Sequence, residues 1–405
     1  MPHASDAPAA AFLRQILIGL IGFLTLVDLF AAQAILPTLA RTYHVAPSAM
    51  GVAVNASTVG MAVSGLVVAL VSHRLPRRGG VWVSLALLAI PTTLLAHAPN
   101  LAVFTALRIV QGLFMSAAFT LTMAYLSEQN TGSATASALA AYITGNVASN
   151  LVGRLVSSAV ASVAGVAINF YVFAGLNLAG AALVYLSLTQ APAMAVATGE
   201  MRRTALQRIA AHLRNRCLVA SFGIGFFVLF AFLGTFTYVN FVLAAPPLKL
   251  SQMALGLVYF VFLPSMVTTP IAGRVASHFG PRPTFFTSLG LAIAGLPLLL
   301  AGTIVPVIAG LTVVAVGTFF AQATATGFVG RAASQDRAAA SGIYLASYYL
   351  GGLAGAAVIG QVYDHLGWPP AVAVVGASLL AAAGLAATLR PATAGRRLMP
   401  RAVPA

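Results

Sequence analysis

Three charged residues fall inside long apolar runs: Asp28 in "TLVDLFAAQAILPTLA", Arg108 in "RIVQG" and Arg154 in "GNVASNLVGR". An ionisable group at mid-membrane costs about 2.5–3.5 kcal/mol on insertion scales, so such a residue is first read as functional. A carboxylate screened from water holds its proton more tightly, and a neighbouring arginine loosens it. A group poised between those pulls can take a proton on one side of a barrier and release it on the other. Asp28 is the only acid well inside such a run, since Asp364 lies at the end of another, beside His365. Arginine stays protonated, so Arg108 is the candidate to tune Asp28 and stabilise its charged form. A packing role stays open, with Asp28 and Arg108 as a buried pair that fixes two helices.

Tyr142, Asn146, Asn150 and Arg154 recur every four residues and so share one helical face. A polar stripe on a lipid-bathed helix should point into protein. Arg154 either faces a cavity, where it favours anionic or carboxylate-bearing solutes, or pairs with a carbonyl, or snorkels outward. Gln33 follows Asp28 on the same segment. Tyr238 and Asn240, with Phe236, and Tyr344 and Tyr348, with Tyr349, offer aromatic surface with polar handles. These are the solute-binding candidates, although each aromatic taken singly is more often packing than ligand contact.

Other chemistries lack their parts. All seven histidines lie in tails or near the ends of apolar runs, so no imidazole relay or metal cluster is expected. The single cysteine, Cys217, permits neither a disulfide framework nor a thiolate metal site. The only lysine, Lys249, follows Pro-Pro-Leu, whereas a phosphate-cradling loop needs Gly-Lys-Ser/Thr. No buried Ser/His/Asp set appears, so no catalytic residue, metal or cofactor is expected and an enzyme is the least favoured class.

The elements that must position these residues follow from composition. The chain has 405 residues, 60% hydrophobic and 7% charged, with a mean hydropathy of +0.95. Soluble domains carry roughly 25% charged residues, so this is an integral membrane protein. Spans need about 20 apolar residues, and twelve runs qualify: 16–39, 50–72, 79–97, 101–125, 135–159, 166–188, 218–241, 253–273, 284–302, 304–328, 340–361 and 369–389. Runs this continuous mean helices, because barrel strands would alternate. "AAQA" (31–34), following an apolar stretch within the first run, resembles a signal-cleavage site, but a run of that length is read as the first span. Arg14, Arg74, Arg77, Arg78, Arg202, Arg203, Arg208, Arg214, Arg216, Arg274, Arg282, Arg331, Arg337 and the arginines of the C-terminal tail fall on one side, against Arg41 and Lys249 on the other. The positive-inside rule then makes both termini cytoplasmic. The net charge of +15 is thus an orientation signal and not a nucleic-acid footprint.

The expected organisation is a cytoplasmic tail (1–15), a six-helix bundle (16–188), a basic cytoplasmic linker (189–217), a second six-helix bundle (218–389) and a cytoplasmic tail (390–405). The halves repeat at an offset of about 202 to 205 residues: "SHRLPRR" answers "SHFGPRP", and "AYITGNVASNLVGR" answers "IYLASYYLGGLAGA". Asp28 then maps near Ala231 and Arg108 near Val313, so the scaffold can be built without either charge.

A duplicated six-plus-six design with a basic central loop resembles the major facilitator superfamily. "RIVQG" looks like the family's R-x-x-Q-G motif, and "DLFAAQAILP" is similar to the first-span motif of the twelve-span drug:proton antiporters. "HRLPRR" and "GRVASHFGPR" resemble the loop motif G-x-L-x-D-R-x-G-R-R, with His73 and Ser277 at its Asp position and Pro76 replacing Gly. "GNVASNLVGR" resembles the antiporter motif of the fifth span, with Asn150 in place of Pro and Arg154 in place of Gly. The resemblance implies a cytoplasmic gate at His73, Arg74, Arg77, Arg78, Ser277, His278, Gly280 and Arg282, with a weakened or differently made latch. The same arginines serve equally as topogenic charge.

The expected function is secondary active transport: proton-coupled efflux, by antiport, of a small organic or amphipathic molecule through alternating access. The alternative is an organic-anion or other solute carrier, by symport or uniport; a non-transporting receptor or scaffold is more distant. Expected partners are the small-molecule substrate, protons and membrane lipids, with no nucleic acid, for a monomer in a bacterial-type inner (plasma) membrane.

Overall fold

The computed structural model describes residues 6–71, 76–129, 132–189, 205–333 and 337–389. In the first half the helices are α1 (Asp6–Ala34), α2 (Leu36–Thr42), α3 (Pro47–Asn55), α4 (Ser57–Val71), α5 (Arg77–Leu95), α6 (Leu101–Glu128) and α7 (Gly132–Ser187). A short α8 (Ala205–Leu213) precedes the second half, which comprises α9 (Arg216–Ala244), α10 (Gln252–Val258), α11 (Leu263–Phe279), α12 (Pro281–Gly295), α13 (Ile304–Ala332), α14 (Arg337–Leu366) and α15 (Trp368–Thr388). In hydrocarbon every backbone polar group needs an internal partner, which is why the apolar runs resolve as helices.

Among the described residues, eleven segments are long and apolar enough to cross a membrane. One of them, Ser137–Ser187, has 51 residues and as a single helix would extend about 77 Å, more than twice the roughly 30 Å hydrocarbon core. It turns at Gly165, whose φ of 88° suits a residue without Cβ. The long helix is therefore the expected fifth and sixth spans joined by a glycine corner, and the count becomes twelve. Two smaller differences concern segment ends. Helix α1 starts at Asp6, ahead of the run beginning at residue 16, and α8 forms within the segment expected to be linker.

The repeat is visible as matched contacts. Helix α1 packs on α7, as α9 packs on α14. A Cβ on Gly153 would press on Val27, and one on Gly355 would press on the Phe230 carbonyl, at corresponding positions of the two halves. Gly145 lies against the Gly19 carbonyl; its counterpart Ser347 donates a 3.0 Å hydrogen bond to the Phe222 carbonyl. Small residues let these backbones approach closely, which is how helices associate without a hydrophobic drive.

Two helix breaks position the interior polar groups. The second span is interrupted at Ala56, between α3 and α4, and the first continues past Ile35 into α2. Pro37 sits in the first turn of α2 and brings no N–H, so the carbonyl of Gln33 loses the donor it would meet in a continuous helix. Asn240 of α9 supplies one instead at 3.3 Å, and Gln252 of α10 donates to the neighbouring Ala34 carbonyl at 2.8 Å. The break thus ties the first half to the second.

That tie belongs to a wider closure at one end, the outer end in the predicted orientation. Thr38 donates to Gln252 at 2.8 Å, the Ser48 amide donates to the Asp364 carboxylate at 3.2 Å, and Gln361 donates to Ser48 at 3.4 Å. Tyr238 of α9 is wedged between Gly51 of α3 and Gly360 of α14.

Candidate functional site

Arg108 is 1% exposed, and each of its five N–H donors has an acceptor. Nε donates to the Val54 carbonyl at 2.9 Å, at the break in the second span. Nη1 donates to the Asp28 carbonyl at 3.2 Å and to Gln111 at 2.7 Å. Nη2 donates to the Leu29 carbonyl at 3.4 Å and to Ser57 at 3.1 Å. All five acceptors are neutral. The guanidinium clamps α1, α3, α4 and its own α6 together.

The Asp28 carboxylate, 3% exposed, stands beside this clamp without joining it. It lies within the electrostatic field of Arg108 but forms no salt bridge among the described residues. Thr92 of α5 approaches Oδ1 at 3.4 Å, yet its single hydroxyl proton has a better acceptor in the Leu88 carbonyl at 2.8 Å. Gln111 and Asn177 in turn donate to Thr92 at 2.7 and 3.2 Å. Oδ2 has no hydrogen-bond partner. The buried ion pair that the packing reading required is not formed.

Arg154 is fully buried and differently surrounded. Nη2 donates to the side-chain oxygen of Gln33, while Nε and Nη1 have no hydrogen-bond partner. Its guanidinium carbon lies 4.1 Å from the ring centre of Tyr259, 5.1 Å from Phe262 and 5.3 Å from Phe30. Of the alternatives read from sequence, outward snorkelling does not occur: the side chain points inward, between the halves, and pairs with the amide carbonyl of the Gln33 side chain. Gln33 passes the connection on, donating to Asn55 at 2.7 Å, and Asn55 donates to Thr237 at 3.0 Å. On the far side Tyr259 donates to Asn240 at 2.7 Å.

The rest of the stripe lies on the same face of α7. Tyr142 is fully buried, and the hydroxyl of Tyr142, both polar atoms of Asn146 and Oδ1 of Asn150 lack hydrogen-bond partners. Tyr344 and Tyr348 stack at 6.0 Å, and Tyr348 meets Tyr349 edge-on at 5.5 Å. Tyr349 lies within electrostatic range of Tyr142 across the halves. Tyr238 instead closes the outer end and donates to the Ala356 carbonyl, and Asn240 serves the bridge described above.

The loop copies are each engaged within their own half. Arg77 grips both carboxylate oxygens of Glu128, with a closest approach of 2.6 Å, and joins α5 to α6. Arg78 donates to the Tyr185 carbonyl and lies over that ring. Ser277 bonds back to the Arg274 carbonyl, His278 meets Phe279 edge-on, Arg282 lies 6.0 Å from the Phe286 ring, and Gly280 makes the α11–α12 corner at φ 90°. His73 and Arg74 lie outside the described residues.

Several participants were missed from sequence. Asn55, Ser57, Thr92, Asn177 and Thr237 are polar residues inside spans, and that alone is the signal that could have found them. Gln111 lies within "RIVQG", where the sequence alone gives it no role. Tyr259 and Phe262 carried no signal, because their position under Arg154 comes from the 3₁₀ turn between α10 and α11. A groove of about 810 Å³ at the outer end, lined by residues including Pro47, Pro246, Asp364 and Trp368, contains none of the candidate residues. No group of three or more metal-ligating side chains occurs among the described residues.

Comparison with known proteins agrees with this architecture. An uncharacterized MFS-type transporter, YybF of Bacillus subtilis (strain 168), is 25% identical over 376 residues, covering 91% of each chain. The inner membrane transport protein YnfM of Escherichia coli (strain K12) is 27% identical over 353 residues, covering 86% of this chain and 83% of its own. Among solved structures, the inward-facing bacterial homologue of the human lysosomal transporter Spinster superposes with a TM-score of 0.72 at 12% identity over 94% of each chain. The nucleoside transporter NupG superposes with a TM-score of 0.68 at 15% identity, over 94% of this chain and 98% of its own. The model of the Major Facilitator Superfamily matches residues 18–262 and 228–405. With twelve spans in two repeated halves and polar groups buried between them, the chain belongs to the Major Facilitator Superfamily and is a multi-pass secondary transporter.

Proposed function

We propose that the protein exchanges protons for a small organic molecule, exporting the solute, and that Asp28 carries the proton. One observation supports this most: Asp28 is buried beside Arg108 without an ion pair, because neutral acceptors take all five guanidinium donors. Protonating a carboxylate locked in a buried salt bridge would strand its partner, at about 3–5 kcal/mol. Here neither protonation state breaks a bridge, and the fixed charge of Arg108 acts through space. The resemblance of "DLFAAQAILP" to the first-span antiporter motif adds the direction of transport. Coupling then requires that proton and solute each favour a different state of the two bundles. The cytoplasmic placement of both termini, the inner-membrane location and the roles of the loop arginines belong to the same reading.

The test is solute movement driven by a pH gradient in vesicles, with a solute chosen by a susceptibility screen of expressing cells. Asp28→Asn should fold and lose the gradient dependence. Unchanged gradient-driven transport by that variant would end the proposal.

A further inference from the structure

We infer that Arg154 is the docking point for an anionic group, and that the solute is an organic acid whose carboxylate sits beside an aromatic or otherwise flat apolar body. This goes beyond proton coupling and does not depend on Asp28.

Arg154 is fully buried, yet two of its nitrogens donate to nothing and its one hydrogen bond goes to a neutral amide oxygen. A buried cation is tolerated when it is paired and hydrogen-bonded. Arg108 shows what a saturated guanidinium looks like in this chain, and Arg154 is its opposite. A guanidinium presents its donors in a planar fork that matches a carboxylate edge to edge. An anion that takes the place of the Gln33 oxygen therefore gains charge as well as a second donor. The aromatic faces of Tyr259, Phe262 and Phe30 supply the remaining surroundings, and they favour a flat apolar group next to the bound charge. Phe262 continues into a cluster with Phe232, Phe236 and Phe319, at ring separations of 4.7 to 5.8 Å.

A line of further polar groups leads to this point. Asn150, Asn146 and Tyr142 step back along α7 from Arg154, each carrying polar atoms without partners. Twelve residues of helix extend about 18 Å, so the ladder covers over half of the hydrocarbon thickness. The direct contact of Arg154 with Gln33 supplies the coupling to the bundles. Gln33 is bonded through Asn55 to Thr237 and through its carbonyl to Asn240, so an anion that displaces its oxygen acts on groups joining the two halves.

The experiment reads binding at equilibrium, without a proton gradient, so its result stands apart from that of the Asp28 test. The purified full-length chain is titrated with benzoate, and with its neutral isostere benzamide, while the thermal midpoint is followed. A charge-assisted hydrogen bond separates the two ligands, and benzoate should half-saturate at a concentration at least about tenfold lower. Gln33→Glu places a carboxylate on Arg154 from within the chain; this variant should fold and lose the benzoate response. Arg154→Gln should lose it as well. Equal responses to benzoate and benzamide in the wild-type protein would overturn the inference, as would a benzoate response that survives Gln33→Glu. If Arg154→Gln does not fold, those two readings decide.

Discussion

Arg108 and Arg154 are both buried to within 1% of full burial, but their surroundings differ in kind. Arg108 meets five neutral acceptors on four helices of one bundle and lies over no aromatic ring among the described residues. Arg154 meets one acceptor and three aromatic rings, and it stands where the two bundles join. A guanidinium with every donor satisfied is fixed: it holds helices and projects a constant field onto Asp28. A guanidinium with open donors is available to another partner. On the proposed reading, the first belongs to the scaffold of the proton site and the second to recognition of solute.

Loss of the saturated clamp should give the largest effect. Arg108→Ala strands the Val54 carbonyl at the helix break together with Ser57 and Gln111, removes the extra donors to the Asp28 and Leu29 carbonyls, and should destabilise the protein by about 3–5 kcal/mol. Arg154→Ala removes a buried charge with one hydrogen bond and three ring contacts, and should cost less, about 2 kcal/mol. Unfolding midpoints of the two variants, measured in the same detergent, check the ordering; equal losses would erase the contrast. Next in size is Arg154→Lys, which keeps the charge but not the fork and should weaken benzoate binding by about tenfold with little change in midpoint. The smallest effect concerns the tie between the bundles. Asn240→Ala should cost about 1 kcal/mol in the wild-type background, and less where Pro37→Ala has returned a backbone donor to Gln33. A double-mutant cycle on unfolding reads that coupling, and strict additivity would mean that Pro37 does not create the need for Asn240.

Much of the architecture could be read from local pattern. Apolar runs of about 20 residues are a one-dimensional signal, and the repeat offset that aligned "AYITGNVASNLVGR" with "IYLASYYLGGLAGA" reappears as the matched packing of Gly153 on Val27 and Gly355 on Phe230. The three intramembrane charges were visible for the same reason, since lipid makes them expensive wherever they point. Their partners were not visible. Whether Arg108 bridges Asp28 or captures carbonyls depends on the break at Ala56, which no proline or glycine announces. Pro37 is plain in the sequence, but its consequence for Asn240 depends on how closely the second bundle approaches. Arg154 illustrates the limit best: its spacing placed it on a polar face, and only the approach of α10 brought Tyr259 beneath it.

The division of labour between the two arginines, and with it the role of Asp28, is tested most directly by one reconstitution in proteoliposomes. Solute counterflow and solute-dependent proton movement are measured on the same preparations of wild type, Asp28→Asn and Arg154→Gln, using benzoate or the solute found by screening. The account predicts that Asp28→Asn retains counterflow and loses proton movement, whereas Arg154→Gln loses counterflow itself. Proton movement that persists in Asp28→Asn, or counterflow that persists in Arg154→Gln, would contradict it.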